Sequence, residues 1–472
     1  MSPARAGTTI RGRCRVGASA ALLAGVVVAL AACTSNSPAP TESGTTESGT
    51  TATGTASTGT ASTGTGTGTT GTGSTGAAAS SADAAAPSGS SGEASSTAVP
   101  DIAFTPVTGS VLFPPVPFEG SDGNTHMVYE LSVVNFSSGP TTIDKVEVLD
   151  DGTGQPVLTL GPADLGGPTG RLQPAGLRTG ADQLAASEAA TIFLHVTLPP
   201  GARVPSSLVH QVTVTAQAAP PALNPIVERI TPTAVDTRTL PVLGPPVLAN
   251  GLIAADGCCD ATRHTRAILA VNGQPYVAQR YAIDYEQIDD QGRIYAGPST
   301  DPSSYAIYGE QAIAVADGTI AVAVDGLPEQ TPGTFPTNIT PSEADGNSVV
   351  VDIGNGFYTN YAHFQPGSVK VKVGDSVKRG DVLGLVGNSG NSVAPHLHFH
   401  VMNGPSQLAS EGLPYLIDSF TVTGQVESTA AFDTAEAKGT PVVTVAGVTP
   451  TTHTDQMVLD QNIVTYQAAG QG

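Results

Sequence analysis

The densest chemistry in this 472-residue chain lies in Pro395-His396-Leu397-His398-Phe399-His400. Imidazole is both a metal ligand and a proton carrier near neutral pH. On a β-strand, successive side chains alternate between faces. His396, His398 and His400 then share one face, and Leu397 and Phe399 share the other. Such a row reads as one wall of a metal or acid–base site. A zinc hydrolase needs about three protein ligands, an open position and groups that handle protons. His396 and His398 are two strand residues apart, so both can reach one site, one as ligand and one as catalytic partner. Three further segments carry suitable side chains: Arg280-Tyr281-Ala282-Ile283-Asp284-Tyr285, Tyr358-Thr359-Asn360-Tyr361-Ala362-His363-Phe364 and Gly387-Asn388-Ser389-Gly390-Asn391-Ser392.

The elements that must position these residues are short strands. The chain has 55 Gly, 37 Pro and no Trp, a composition of strands and turns rather than long helices. From 100 to 248, runs such as Val128–Val134, Val146–Leu149, Thr191–Val196 and Gln211–Thr215 alternate between turn clusters. Their spacing predicts an immunoglobulin-like β-sandwich acting as a spacer or binding module. His126, His195 and His210 are isolated there and read as packing or surface residues. From 249 to 426 the strands are denser. Asp317-Gly318, between Ile313–Ala316 and Thr319–Val324, predicts a hairpin. Residues 427–472 are rich in Thr, Ala and Gln and read as a partly ordered extension. The fold class is therefore all-β.

Before these domains come two segments of another kind. Residues 1–33 hold Arg5, Arg11, Arg13 and Arg15, then an apolar stretch from Ala20, then Leu30-Ala31-Ala32-Cys33. This resembles a lipoprotein signal peptide and lipobox, with Cys33 the lipidated residue. Residues 34–99 are Ser, Thr, Gly, Ala and Pro with almost no large apolar side chain, so they read as a disordered tether. About 65 such residues give a root-mean-square reach of roughly 40–50 Å. The expected location is extracytoplasmic, lipid-anchored to a bacterial membrane and facing the cell wall. A net charge of −21 argues against a nucleic-acid partner. Cys258 and Cys259 adjoin, with three states open: a vicinal disulfide, free thiols or metal ligation beside Asp260 and His264.

The stretch Gln279–Met402 resembles the lysostaphin/LytM-type zinc endopeptidases, peptidase family M23. The resemblance rests on Val373-Gly374-Asp375-Ser376-Val377, Gly380, Gly387-Asn388-Ser389-Gly390 and Pro395-His396-Leu397-His398-Phe399. It implies a small antiparallel β core with a groove, one zinc ion and action on peptide bonds of peptidoglycan. It further implies zinc ligation by Asp284 and His398, catalytic roles for His363 and His396, and substrate contacts from Tyr361 and Asn388. One departure stands out. The family's histidine ligand four residues before the aspartate is here Arg280, and a guanidinium cannot coordinate zinc. Three arrangements follow: another residue ligates, His264 first and Cys258 or Cys259 after it; zinc is held weakly by Asp284 and His398; or the site is metal-free and Arg280 neutralises Asp284. The last would make the chain a silent module that binds peptidoglycan or regulates a cell-wall hydrolase. His400, where many relatives carry a glutamate, reads as a substrate contact or a solvent-facing residue. A biotinyl- or lipoyl-like carrier fits the Val-Gly-Asp pattern but lacks the carrier's lysine and leaves the histidines unexplained.

Overall fold

The computed structural model describes residues 104–177, 180–261 and 263–466. The expected signal peptide, Cys33 and the expected tether lie outside the described residues. The all-β expectation holds: strands dominate, and the longest described helix is Thr429–Lys438.

The N-terminal part is a sandwich of two antiparallel five-stranded sheets. In the first, Thr125–Asn135 lies between Val107–Val111 and Ala189–Leu198. In the second, Thr141–Asp150 pairs with Ser207–Ala216 and Pro156–Leu160. Alternation along Thr125–Asn135 sends Met127, Tyr129, Leu131 and Val133 into the sandwich core with Val146, Val148, Val212 and Val214. The intervening Val128 and Glu130 face the second body instead, and both are buried. That strand is therefore covered on both faces. The sandwich ends at Ala234, earlier than the expected 248, because Val242–Leu243 already pairs with Leu416–Ile417 of the second body.

The second body is built on a ten-stranded antiparallel sheet. Its central order is Asn347–Gly354, Phe357–Phe364, Leu397–Met402, Ile283–Gln287, Leu252–Ala255. Leu397, Phe399 and Val401 enter the core beneath the sheet with Tyr285, Tyr361 and Val349. The histidines of the same strand take the other face, as the alternation requires.

Two expectations are corrected. Asp317-Gly318 closes no hairpin: Gln311–Ile313 pairs with Val382–Leu385, while Gly318–Val324 pairs with Asn347–Gly354. The glycine serves close approach, since a Cβ there would lie 2.6 Å from the Asp352 carbonyl oxygen. The segment expected as a partly ordered extension is built into the second body as far as 466. Asn462–Thr465 inserts between Leu252–Ala255 and Phe420–Gln425, and the helix Thr429–Lys438 buries Phe432 and Ala435 against Ile253 and Ala255. Its low apolar content hid this, because the few apolar side chains it has, Phe432, Met457 and Val464 among them, are buried against residues distant in sequence.

Candidate metal centre

Strand register places the site. Ala255, Asp284, His398 and Ala362 lie side by side across four neighbouring strands. Small alanines flank the aspartate and histidine, leaving space above them. His363 follows Ala362 and by strict alternation would point into the core with Tyr361. Instead it adopts φ +68°, a left-handed conformation uncommon outside glycine. That turn swings its ring onto the site face, 4.6 Å between centroids from His396 and 5.8 Å from His398. Strain held at a functional position is the usual reading of such an outlier.

Five side chains converge. The Nδ1 of His398 is 2.7 Å from Asp284 Oδ1, and His396 Nε2 is 3.3 Å from the same oxygen. His264 Nε2 lies 3.4 Å from Asp284 Oδ2, and its ring meets that of His398 edge-on. His264, Asp284 and His398 bring one ligand atom each to within 4.8 Å of the others, as do His363, His396 and His398.

The tautomers follow from the outer hydrogen bonds. His264 Nδ1–H donates to the Asp256 carbonyl (3.0 Å), His363 Nδ1–H to that of Ser389 (2.8 Å) and His396 Nδ1–H to that of Ala394 (2.8 Å). Each Nε2 is thereby aimed at the site. Burial and the neighbouring imidazoles hold His363 well below the ordinary histidine range and lower His264 as well, so both are neutral. Burial also opposes charge on His396, but Asp284 outweighs it and pushes the imidazole up to about 9. Burial would raise Asp284, yet its interactions with the His264 and His396 imidazoles, and the hydrogen bonds from His396 and His398, keep it well below the usual carboxylate range.

This donor set fits a divalent cation of the zinc type: two imidazole nitrogens and a carboxylate from three separate segments, with second-layer hydrogen bonds fixing the rings. His398 shows the same design. Its Nε2 lies 2.9 Å from His400 Nδ1, so with Nδ1 as the ligand atom its Nε2–H donates to His400. His400 is fully buried behind His398 and neither faces solvent nor reaches a substrate, which corrects both expectations for it.

Arg280 is the largest correction. It does not approach Asp284. It is buried, donates through Nε and Nη2 to both oxygens of Glu130 (2.8 and 2.7 Å), and pairs with Glu411 at 2.7 Å. Its Nη1 donates to the Gly412 carbonyl at 2.9 Å. The imidazole beside the aspartate comes from another segment, that of His264. Two expected substrate contacts are also corrected. Tyr361 is buried in the core, accepting the Val315 N–H at 2.9 Å. Asn388 is fully buried and holds its loop together through Gln330 and Ser392. Cys258 and Cys259 are joined as a disulfide and stand outside both ligand sets of this centre.

The centre lines a cleft of about 110 Å³ whose other walls were not legible in the motifs. Asp256 receives two hydrogen bonds from Arg263, which also reaches Asp433 on the C-terminal helix. Glu436 of that helix, partly buried, lies beside buried Glu286; burial, then mutual repulsion, raises Glu286 well above its usual range, and desolvation takes Glu436 to about 7. Only their place in the fold, not their spacing, could reveal them.

A pH prediction follows from His396. Its folded value of about 9 lies above the ordinary 6.5, so its ionic contribution is fully present below about pH 6.5 and is lost as pH rises through 9. Thermal melting of chelator-treated protein is expected to show lower stability at pH 9.5 than at pH 6.5, and His396→Gln is expected to flatten that slope.

Residues 304–409 match the sequence model of Peptidase family M23. Over 57 residues the chain is 42% identical to the peptidoglycan DD-endopeptidase ShyA of Vibrio cholerae, covering 12% of this chain and 13% of that protein. It is 36% identical over 98 residues to the cell division protein DipM of Caulobacter vibrioides, 21% of this chain and 13% of that one. A match to the DD-carboxypeptidase/endopeptidase Mpg of Neisseria meningitidis is 39% identical over 71 residues, 15% of this chain and 16% of that one. The chain thus spans about a seventh of the length of these relatives. Among solved structures, the catalytic domain of lysostaphin from Staphylococcus simulans aligns at 22% identity and TM-score 0.19, over 35% of this chain and 86% of that one.

Proposed function

We propose, taking residues 304–409 as a peptidase family M23 segment, that this chain is a zinc metalloendopeptidase acting on peptide bonds of peptidoglycan. In this reading the chain works outside the cytoplasm and is anchored to the membrane through lipidated Cys33. The observation that carries the reading is the convergence of the His363 and His396 Nε2 atoms on the His264–Asp284–His398 donor set. Zinc held by His264, Asp284 and His398 would supply Lewis acidity toward a carbonyl and acidify water.

The chain's own residues do the rest. His363 is neutral, and its Nε2 lone pair is directed into the cleft, so it can take a proton from an attacking water. His396 is charged beside Asp284, and its Nε2–H can donate to the oxyanion that develops on the substrate carbonyl and then to the leaving amine. The backbone carbonyls of Ser389 and Ala394 keep both rings oriented. The buried position of the centre limits bulk water and strengthens these interactions.

The silent-module reading drew its support from Arg280 beside Asp284, and that guanidinium is committed to Glu130 and Glu411. The test is direct. Purified chain loaded with zinc is incubated with peptidoglycan, and new amino termini are counted. Release of muropeptides with cut peptides supports the proposal; zinc-loaded, folded protein that releases none would overturn it.

A further inference from the structure

A second cluster of ligand-type side chains lies away from the cleft, where the sandwich meets the second body. His126 and His195 form a diagonal pair on neighbouring strands, two residues out of register, since His126 lies opposite Thr197 and His195 opposite Val128. Their rings stack, with His126 Nδ1 2.9 Å from His195 Nε2. The outer nitrogens are both committed: His126 Nε2 is 2.9 Å from Asp122 Oδ1, and His195 Nδ1 is 3.0 Å from Asp260 Oδ2. Asp260 is also paired with Arg171.

Proton counting makes this arrangement informative. A carboxylate has no proton to give, so each outer nitrogen carries the hydrogen and donates it. In the neutral rings the two inner nitrogens are then bare, facing each other at hydrogen-bond distance with no hydrogen between them. Thr197 Oγ1, 3.2 Å from His195 Nε2, can serve one of them but not both. Something positive belongs between the rings: a third proton or a cation. Burial, ahead of the repulsion from His195, lowers His126 and disfavours the proton. Each ring also has the backing carboxylate that typifies metal-bound histidine. A third ligand type is in place, because His126, His195 and Cys259 each bring one ligand atom to within 4.8 Å of the others.

We propose that His126, His195 and Cys259 form a second, redox-gated site for a borderline divalent cation such as zinc, open only when the Cys258–Cys259 disulfide is reduced. A dithiol supplies two electrons and two protons: the Sγ–Sγ bond breaks, two thiols form, and the reductant closes to its own disulfide. Cation binding then displaces the Cys259 thiol proton to solvent, and the thiolate coordinates. Tetrahedral bonds of 2.0–2.1 Å set two nitrogens about 3.3 Å apart, so the rings need separate only slightly. Asp260 lies four positions before His264, so occupancy bears on the same segment that supplies the candidate third ligand of the main centre.

The test titrates cobalt(II) into full-length protein and reads the thiolate-to-cobalt charge-transfer band, to which the cysteine-free main centre contributes nothing. Cys258→Ser leaves Cys259 free and is expected to show the band without reductant. The untreated parent and Cys258→Ser/Cys259→Ser are expected to lack it, which separates the signal from Cys14 and Cys33. Adding His195→Ala to Cys258→Ser is expected to weaken cobalt binding at least tenfold. Should Cys258→Ser misfold, parent protein reduced by a phosphine takes its place. No cysteine-dependent band in folded, reduced protein, or a band indifferent to both His195→Ala and His126→Ala, would overturn the proposal.

Discussion

His396→Ala is expected to lower turnover on peptidoglycan by about 10²–10⁴-fold while the protein stays folded and its zinc content stays near that of the parent. That loss corresponds to roughly 3–5 kcal/mol of transition-state stabilisation. His396 makes no bond on which the sheet depends. Its strand neighbours Leu397 and Phe399 carry the packing, and its own contacts include Asp284, the Ala394 carbonyl, the Ser392 hydroxyl and the ring of His363. Removing it deletes the donor aimed into the cleft and leaves His264, Asp284 and His398 in place. Turnover and metal content measured on the same preparation separate this outcome from loss of a ligand, which would lower both. Equal turnover in parent and variant would remove His396 from the proton-handling role.

Arg280→Met is expected to cost about 3–5 kcal/mol of stability, because it strands the fully buried Glu130 without its partner. The guanidinium serves Glu130 on the sandwich and Glu411 and Gly412 on the second body, so the loss should loosen the junction between the two. Combining Arg280→Met with Glu130→Leu removes both buried charges and is expected to recover much of the stability. Arg280→His tests the point most sharply. A histidine at 280 would inherit a pocket lined by Glu130 and Glu411, so it should lower the melting temperature without raising zinc content. Denaturant unfolding and metal analysis of these variants check all three outcomes.

The histidine strand was legible because strand alternation is a rigid rule: Leu397 and Phe399 had to oppose His396 and His398, and they do. Asp284 and His363 came from motif resemblance, and the register places them beside that strand. His363 also shows where alternation alone fails, since its left-handed φ reverses the face that counting assigns and parts it from Tyr361. The true surroundings of Arg280 were hidden because its partners are 150 and 131 residues away. No local pattern announces a pair at that separation. The C-terminal helix and strand were missed for a related reason. Their sequence is weakly apolar, and they are fixed by pairing between two strands and by packing against Ile253 and Ala255, partners distant in sequence.

The proposed metal centre depends on His264 as the ligand that Arg280 cannot be. Metal analysis of protein purified without reductant, parent beside His264→Ala, tests this most directly. About one zinc per parent chain is expected, with a fall of at least tenfold in zinc affinity for His264→Ala and its fold intact by circular dichroism. Zinc bound as tightly by folded His264→Ala as by the parent, or no zinc in either, would contradict it.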